Sequence, residues 1–433
     1  MKLNGLLIAV ALLAVLGAGV WWSNKKQASA KTDTATKILS IPADSVQEVV
    51  LKNPQQTIDL KRENGKWRMT QPQALPADND TATTLVSALS SLNADAVVDD
   101  KAADLAPYGL KTPTVDVTVT EKGGKTDHLL IGDETLKGDA SYAKLANDPR
   151  VFTIASYVKS NIDKSPNDLR DKRLLTFDSD KLTRVALEPA GKPEVEFGKN
   201  GQNEWQILKP RPLRADGGTV DSLVSNLKDV RMDLSEDPDK AAKEFASGTK
   251  VATATVTDSS GNQTIEVRKD KDNYYAKSSA VAGIYKVSAD FGKGLDKNLD
   301  DFRNKKLYEF GFSDPSKIEL KNATYVKTGD KWMSGAKTMD NTSVQDLIDK
   351  LRDLTATSFD QKGGGEEVFA AAVTSNMGKR VERVTISKQG NQYFAKRDDE
   401  PGIYGIDSKA VDDLQKAAAG VKEAAPPAPA KKK

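Results

Sequence analysis

Tyr142-Ala143-Lys144, Tyr275-Ala276-Lys277 and Phe394-Ala395-Lys396 are three forms of one strand, and the spacing of the residues after each decides the fold. An aromatic residue comes ten positions after the first of each, as Phe152, Tyr285 and Tyr404. An apolar residue comes ten positions further on, as Ile162, Leu295 and Leu414. Equal spacings in three places mark internal repetition.

The pattern extends back along the chain. Each copy opens on a basic residue and an apolar run: Lys37-Ile38-Leu39-Ser40-Ile41, Arg173-Leu174-Leu175-Thr176-Phe177 and Lys306-Leu307-Tyr308-Glu309-Phe310. An alternating strand comes after it, with Val49 and Leu51, Val185 and Leu187, and Ile318 and Leu320 facing inward. A turn and a Trp make hairpins at Gly65-Lys66-Trp67, Asn203-Glu204-Trp205 and Asp330-Lys331-Trp332. Spacings of three and four then predict an amphipathic helix in each copy. Its inward faces are Ala82, Leu85, Val86, Leu89 and Leu92; Val220, Leu223, Val224, Leu227 and Val230; and Val344, Leu347, Ile348, Leu351 and Leu354. Asp78, Asp216 and Asp340, or the Ser or Thr just after, supply N-terminal caps. Two alternating strands come next, clearest at Val115-Val117-Val119 with Leu129 to Ile131, and at Val251 to Val256 with Ile265 to Val267.

The expected architecture is therefore α+β: an N-terminal transmembrane helix followed by three similar repeats. Each repeat is a mostly antiparallel, twisted sheet with one main helix packed on it. The expected bounds are an anchor at 1–22, a linker at 23–36, repeats at 37–172, 173–305 and 306–416, and a disordered Ala/Pro/Lys tail at 417–433.

The anchor rests on residues 5–22, GLLIAVALLAVLGAGVWW, which carry no charge. About twenty helical residues cross a hydrocarbon core. Trp21 and Trp22 suit the membrane interface, and Lys25 and Lys26 come soon after. The alternative is a cleaved signal peptide, with Ala28-Ser29-Ala30 as its site; that site lies beyond the Trp pair and the Lys pair. A very short N-terminal tail behaves as a signal-anchor, so the expected location is a bacterial inner membrane with the body in the periplasm. The five Trp then divide into two for the membrane and one per repeat. The repeat Trp read as core; a sugar- or base-stacking platform would need exposed aromatics on one face.

Charge excludes another class. Lys2, Lys25, Lys26, Lys31 and Lys37 against Asp33 put residues 1–37 at +4, and Lys431, Lys432 and Lys433 add +3. A formal total of +2 thus leaves −5 on residues 38–430. Nucleic-acid binders carry a basic face, so none is expected as a partner.

Trp67 with Gln71-Pro72, Asp104-Leu105, Tyr108-Gly109-Leu110, Pro113, Ile131-Gly132, Tyr142-Ala143 and Asp168-Leu169-Arg170 to Leu174 resembles the family called domain of unknown function 4340. The first copy matches best. The second has Phe245-Ala246-Ser247-Gly248 near the place of Tyr-Gly-Leu, and the third is shorter. The resemblance covers roughly residues 38–415. It implies a membrane-anchored envelope protein, with some members resembling accessory proteins of ABC-type transporters. It transfers no catalytic residue.

Zero Cys excludes disulfides, thiolate zinc sites and cysteine nucleophiles. A single His, His128, excludes His clusters and reads as structural. Gly363-Gly364-Gly365 lacks the Lys-Ser/Thr of a phosphate loop and reads as a turn, as do Gly123-Gly124 and Gly217-Gly218. The basic segments DLRDKR (168–173) and DFRNKK (301–306) could clamp a phosphate. The third copy has Gly420-Val421-Lys422-Glu423 instead, so the pattern reads as a joint between copies. Carboxylates are plentiful at Asp78, Asp80, Asp99, Asp100, Asp398, Asp399 and Glu400, and a close pair of them could drive glycoside cleavage. No calcium loop and no S-x-x-K with a partner motif stands out.

No catalytic, cofactor-binding or metal-ligating residue is assigned, and no cofactor is expected. The expected function is a non-enzymatic accessory or scaffold protein of the envelope, anchored through residues 5–22 beside an ABC-type transporter component. The alternatives are a periplasmic lipid- or glycan-binding protein and a carboxylate-dependent hydrolase.

Overall fold

The computed structural model describes residues 36–311 and 314–425. The expected anchor, the expected linker apart from Thr36, and residues 426–433 lie outside the described residues. No helix among the described residues is long and apolar enough to cross a membrane. The chain divides between Lys172 and Arg173 into two compact bodies. The first holds one principal sheet, and the second holds two.

Alternation of apolar and polar residues builds each sheet. In the first, Val46–Lys52 lies centrally and pairs antiparallel with Thr57–Glu63 on one side and Val115–Glu121 on the other. From the centre the chain steps outward through Thr57–Glu63, Lys66–Gln71 and Leu75–Pro76 to one edge. The helix Asn79–Ser90 then carries it across to Ala96–Asp99 at the opposite edge. The remaining strands, Val115–Glu121, Thr126–Glu134, Ala140–Leu145 and Val151–Ala155, fill the space from the centre to that far edge. The third sheet repeats this order, from Lys337–Thr338 through Ile403–Ile406 to Ala356–Ser358, and the second, from Leu213–Arg214 to Ile284–Val287, repeats it without the last edge strand. Every pairing within the three sheets is antiparallel, so the fold is α+β with mostly antiparallel sheets.

The helix faces read from spacing are the buried ones. Ala82, Leu85, Val86 and Leu89 join Val49, Leu51, Val117 and Trp67 in one apolar cluster. Gly217–Asp229 buries Val220, Leu223, Val224 and Leu227, and Asn341–Arg352 buries Val344, Leu347, Ile348 and Leu351. Leu92, Val230 and Leu354 are buried just beyond the helix ends. Each capping aspartate accepts an amide three residues on: Thr81 N at 2.8 Å, Thr219 N at 2.8 Å and Ser343 N at 2.9 Å.

Two expectations need correction and a third needs extension. Gly217-Gly218 is not a turn but the first turn of its helix, because the Asp216 cap and the buried face behind it override glycine's poor propensity. The third copy has a second full helix, Ser408–Gly420, burying Val411, Leu414 and Ala417, so packed structure continues past residue 416. The segment read as a joint does pair with the following copy, Arg173 bridging Arg231 and Lys306 bridging Thr355, and it also straps each copy to itself. Leu169 O accepts from Asp78 N at 2.7 Å, and Phe302 O from Asp216 N at 2.8 Å. In the last copy Lys422 O accepts from Asp340 N at 2.9 Å, with no successor needed.

Trp67, Trp205 and Trp332 are all buried. Replacing Trp332 with Ala should remove about 3–5 kcal/mol of stability, read from urea unfolding. Asp340→Ala should remove about 1 kcal/mol through the lost cap.

Candidate functional site

The residues that carry the family resemblance have packing roles. Gly109 has φ +67°, and a side chain there would meet Asp133 at 2.4 Å. A side chain on Gly132 would lie 2.1 Å from Tyr108 O, so the two glycines let a turn close on a strand. The Tyr108 ring meets Tyr142 edge-on at 5.2 Å, and its hydroxyl donates to Asp99 at 3.2 Å. Phe245 in the second copy packs under the Arg268 guanidinium at 4.8 Å, and Tyr275 donates to Glu236 at 3.1 Å. His128 pairs with Asp116 on its own sheet.

Charge chemistry concentrates elsewhere, in a cleft of about 710 Å³ within the second body. Its walls include Trp205, Gln206, Arg214, Glu309, Arg380, Glu382, Arg397 and Asp399. Arg397 is fully buried. It donates to Asp399 from Nε at 2.9 Å and Nη2 at 2.7 Å, and to Glu382 at 3.2 Å, while Nη1 donates to Leu307 O. Glu382 also accepts the Glu309 backbone amide on both oxygens, at 2.9 and 3.0 Å. Arg214 donates from Nε to Glu400 at 2.8 Å and from Nη2 to Lys306 O at 2.8 Å. Arg380 donates to Glu309 O at 2.8 Å and to the Glu204 carboxylate. Beside the cleft, Arg303 reaches Asp360 at 2.6 Å and stacks on Phe359 at 4.0 Å.

The pKa directions reflect these partners. Burial pushes Glu400 up, but Arg214 and the Tyr404 hydroxyl outweigh it and hold the carboxyl below its ordinary value. Burial also raises Asp399, and the two bonds from Arg397 reverse that. Tyr404, buried and donating to Glu400, is pushed up to about 12. These carboxylates are ionised partners of Arg, not proton donors.

Of the carboxylates singled out by sequence, Asp399 and Glu400 enter this cluster. Asp78 caps a helix, and Asp99 accepts Tyr108. Sequence reasoning misses Arg214, Glu309, Glu382 and Arg397. A signal exists: Glu382 alternates in phase with inward Val384 and Ile386, and Arg397 in phase with Ala395. No group of acidic or His residues among the described residues is arranged to hold a metal ion.

The second copy places this cluster in context. Gln263 stands across from Val256 as Glu382 stands across from Val373, and it accepts the Thr176 amide at 2.8 Å. Ser278 donates to Leu174 O as Arg397 donates to Leu307 O. Both positions hold the entry segment of a copy against its sheet. A fold built from such copies, with its motif residues in packing roles, defines a repeat protein of sheets and crossing helices.

The chain belongs to the family described as domain of unknown function (DUF4340), whose model matches residues 67–209 and 205–368. The two matches begin at or beside the Trp strand, so one family repeat joins the later part of one copy to the opening strands of the next. Neither the curated proteins nor the solved structures provide a match.

Arg397→Met should destabilise the second body by about 3–5 kcal/mol, because Glu382 would stay buried without its cation. Adding Glu382→Gln should recover part of the loss in the same urea titration. Stability from Glu400 and Asp399 is full above their ordinary values and disappears as pH falls through the depressed folded ones. The urea midpoint of the second body should therefore drop as pH falls below about 4, and Glu400→Gln should flatten that drop.

Proposed function

We propose that this is a non-enzymatic accessory or scaffold protein of the bacterial envelope. Residues 5–22 anchor it in the inner membrane, three similar repeats form its periplasmic body, and its partner is a membrane protein of the ABC-transporter type. The observation that carries the reading is the use made of the converging carboxylates. Glu382 holds the Glu309 amide, Asp399 neutralises Arg397, and Glu400 holds Arg214 and Tyr404. A carboxylate-dependent hydrolase needs one carboxyl that donates a proton near neutral pH. Asp399 and Glu400 are shifted the other way. A lipid carrier needs an apolar groove, whereas the 710 Å³ cleft is walled mainly by charged and amide side chains. The acidic body disfavours nucleic acid. The partner's chemistry is argued from the family resemblance.

Purification of the full chain in a mild detergent should recover a membrane partner in fixed stoichiometry, including an ATP-binding cassette subunit or its membrane domain. A lone monomer across several detergents overturns the scaffold reading. Protease added to spheroplasts should cleave the body, and full protection overturns the periplasmic placement.

A further inference from the structure

Among the described residues of the first body, two large hydrophobic side chains are more exposed than Val97 and Val98, the other exposed ones. Leu136 is fully exposed and Tyr157 is 71% exposed. Leu136 tips the hairpin between Thr126–Glu134 and Ala140–Leu145, and Tyr157 is the second residue of the helix Ser156–Ile162. The hairpin and helix are tied together: Ser156 N donates to Asp139 O at 3.0 Å and its hydroxyl to Gly138 O at 3.2 Å.

The other two copies provide an internal control. Their equivalent hairpins are short polar turns, Lys271-Asp272 and Gly390-Asn391. After the equivalent caps Ser288 and Asp407, the second helical residues are Asp290 and Lys409, both exposed. Only the first copy lengthens the hairpin and makes both positions apolar. Fold maintenance does not require this, since the same unit closes twice without it.

The first copy is also the one that comes after the apolar run, and its entry lies at the same end. Thr36 pairs with Ala94, and the next residue, Asp95, donates its amide to Thr153 O at 2.8 Å. Ala155, two residues on, pairs with Ala140 at the base of the Leu136 hairpin. Burial, and then the charge of Asp139 in that hairpin, raise the Asp95 carboxyl. Between residue 22 and Thr36 lie thirteen polar or small residues. Thirteen residues reach at most about 45 Å even when fully extended, so the end that carries Leu136 is the end held nearest the anchor proposed above. An exposed apolar side chain, the exposed Lys137 next to it and a tyrosine match the interfacial layer, where amphipathic rings settle and Lys side chains reach head groups.

We infer that Leu136 and Tyr157 form a second, shallow membrane contact that seats the first copy on the lipid surface beside its own anchor. This rests on the anchor proposed above, and the test separates the two. The chain has no Cys, so Leu136→Cys can carry a single environment-sensitive fluorophore. Lys122→Cys, on the turn at the opposite end of the same strands, is the reference. Full-length protein is reconstituted in phosphatidylethanolamine/phosphatidylglycerol vesicles with and without a quencher on the upper acyl chain. The label at 136 should shift to the blue and lose about half its emission to the quencher, with little change at 122. Co-flotation with equal quenching at both sites overturns the contact and leaves the anchor standing. Failure to co-float overturns both.

Discussion

Each copy closes on a pair of backbone hydrogen bonds, one of them returned by the strap: Asp171 N to Pro76 O, Asn304 N to Arg214 O and Ala424 N to Thr338 O. The amide of the aspartate that caps the crossing helix donates to a carbonyl far along the same copy: Asp78 to Leu169, Asp216 to Phe302, Asp340 to Lys422. The amide of an N-cap residue has no partner inside the helix, so something outside must satisfy it. Here the closing strap does. Because the helix runs from one edge of the sheet to the other, fixing its start fixes both edges. The strap thereby ties a long-range contact to the same aspartate whose side chain caps the helix.

The buried charge of the third copy is a variation on that closure. In the second copy a glutamine and a serine hold the entry segment, using neutral hydrogen bonds. In the third, Glu382 and Arg397 occupy those places, and Asp399 accepts two further bonds from the Arg397 guanidinium. Charged replacements at buried positions must come as a set, since a lone ion in a low-dielectric interior is costly. That explains why acids and arginines gather around one cleft.

What can be read from the chain is whatever depends on periodicity. Leu85, Leu227 and Leu351 recur with helical spacing, and Val49, Val185 and Ile318 alternate on their strands; all are buried. The cleft is not legible, because Glu382 and Arg397 sit in strands rich in surface charge and only their phase sets them apart. The strap escapes reading for a different reason. Its bonds run backbone to backbone, and such bonds leave no side-chain signature, so Gly420-Val421-Lys422-Glu423 looks like a missing motif when it performs the same closure. The glycines Gly109 and Gly132 are visible as a motif, but their purpose, a turn meeting a strand at van der Waals distance, needs three dimensions.

The sheets also end in an instructive way. One outer strand of each is two residues long, Leu75–Pro76, Leu213–Arg214 and Lys337–Thr338, and the other has three or four, Ala96–Asp99, Ile284–Val287 and Ala356–Ser358. Such stubs present few free amides and carbonyls, and one of them ends in proline, which has no amide to offer. Molecules of this chain meeting edge to edge thus have almost no main chain through which to zip into a continuous ribbon. Contact between two such molecules then falls to side chains, where charge and shape rather than main-chain pairing set the fit.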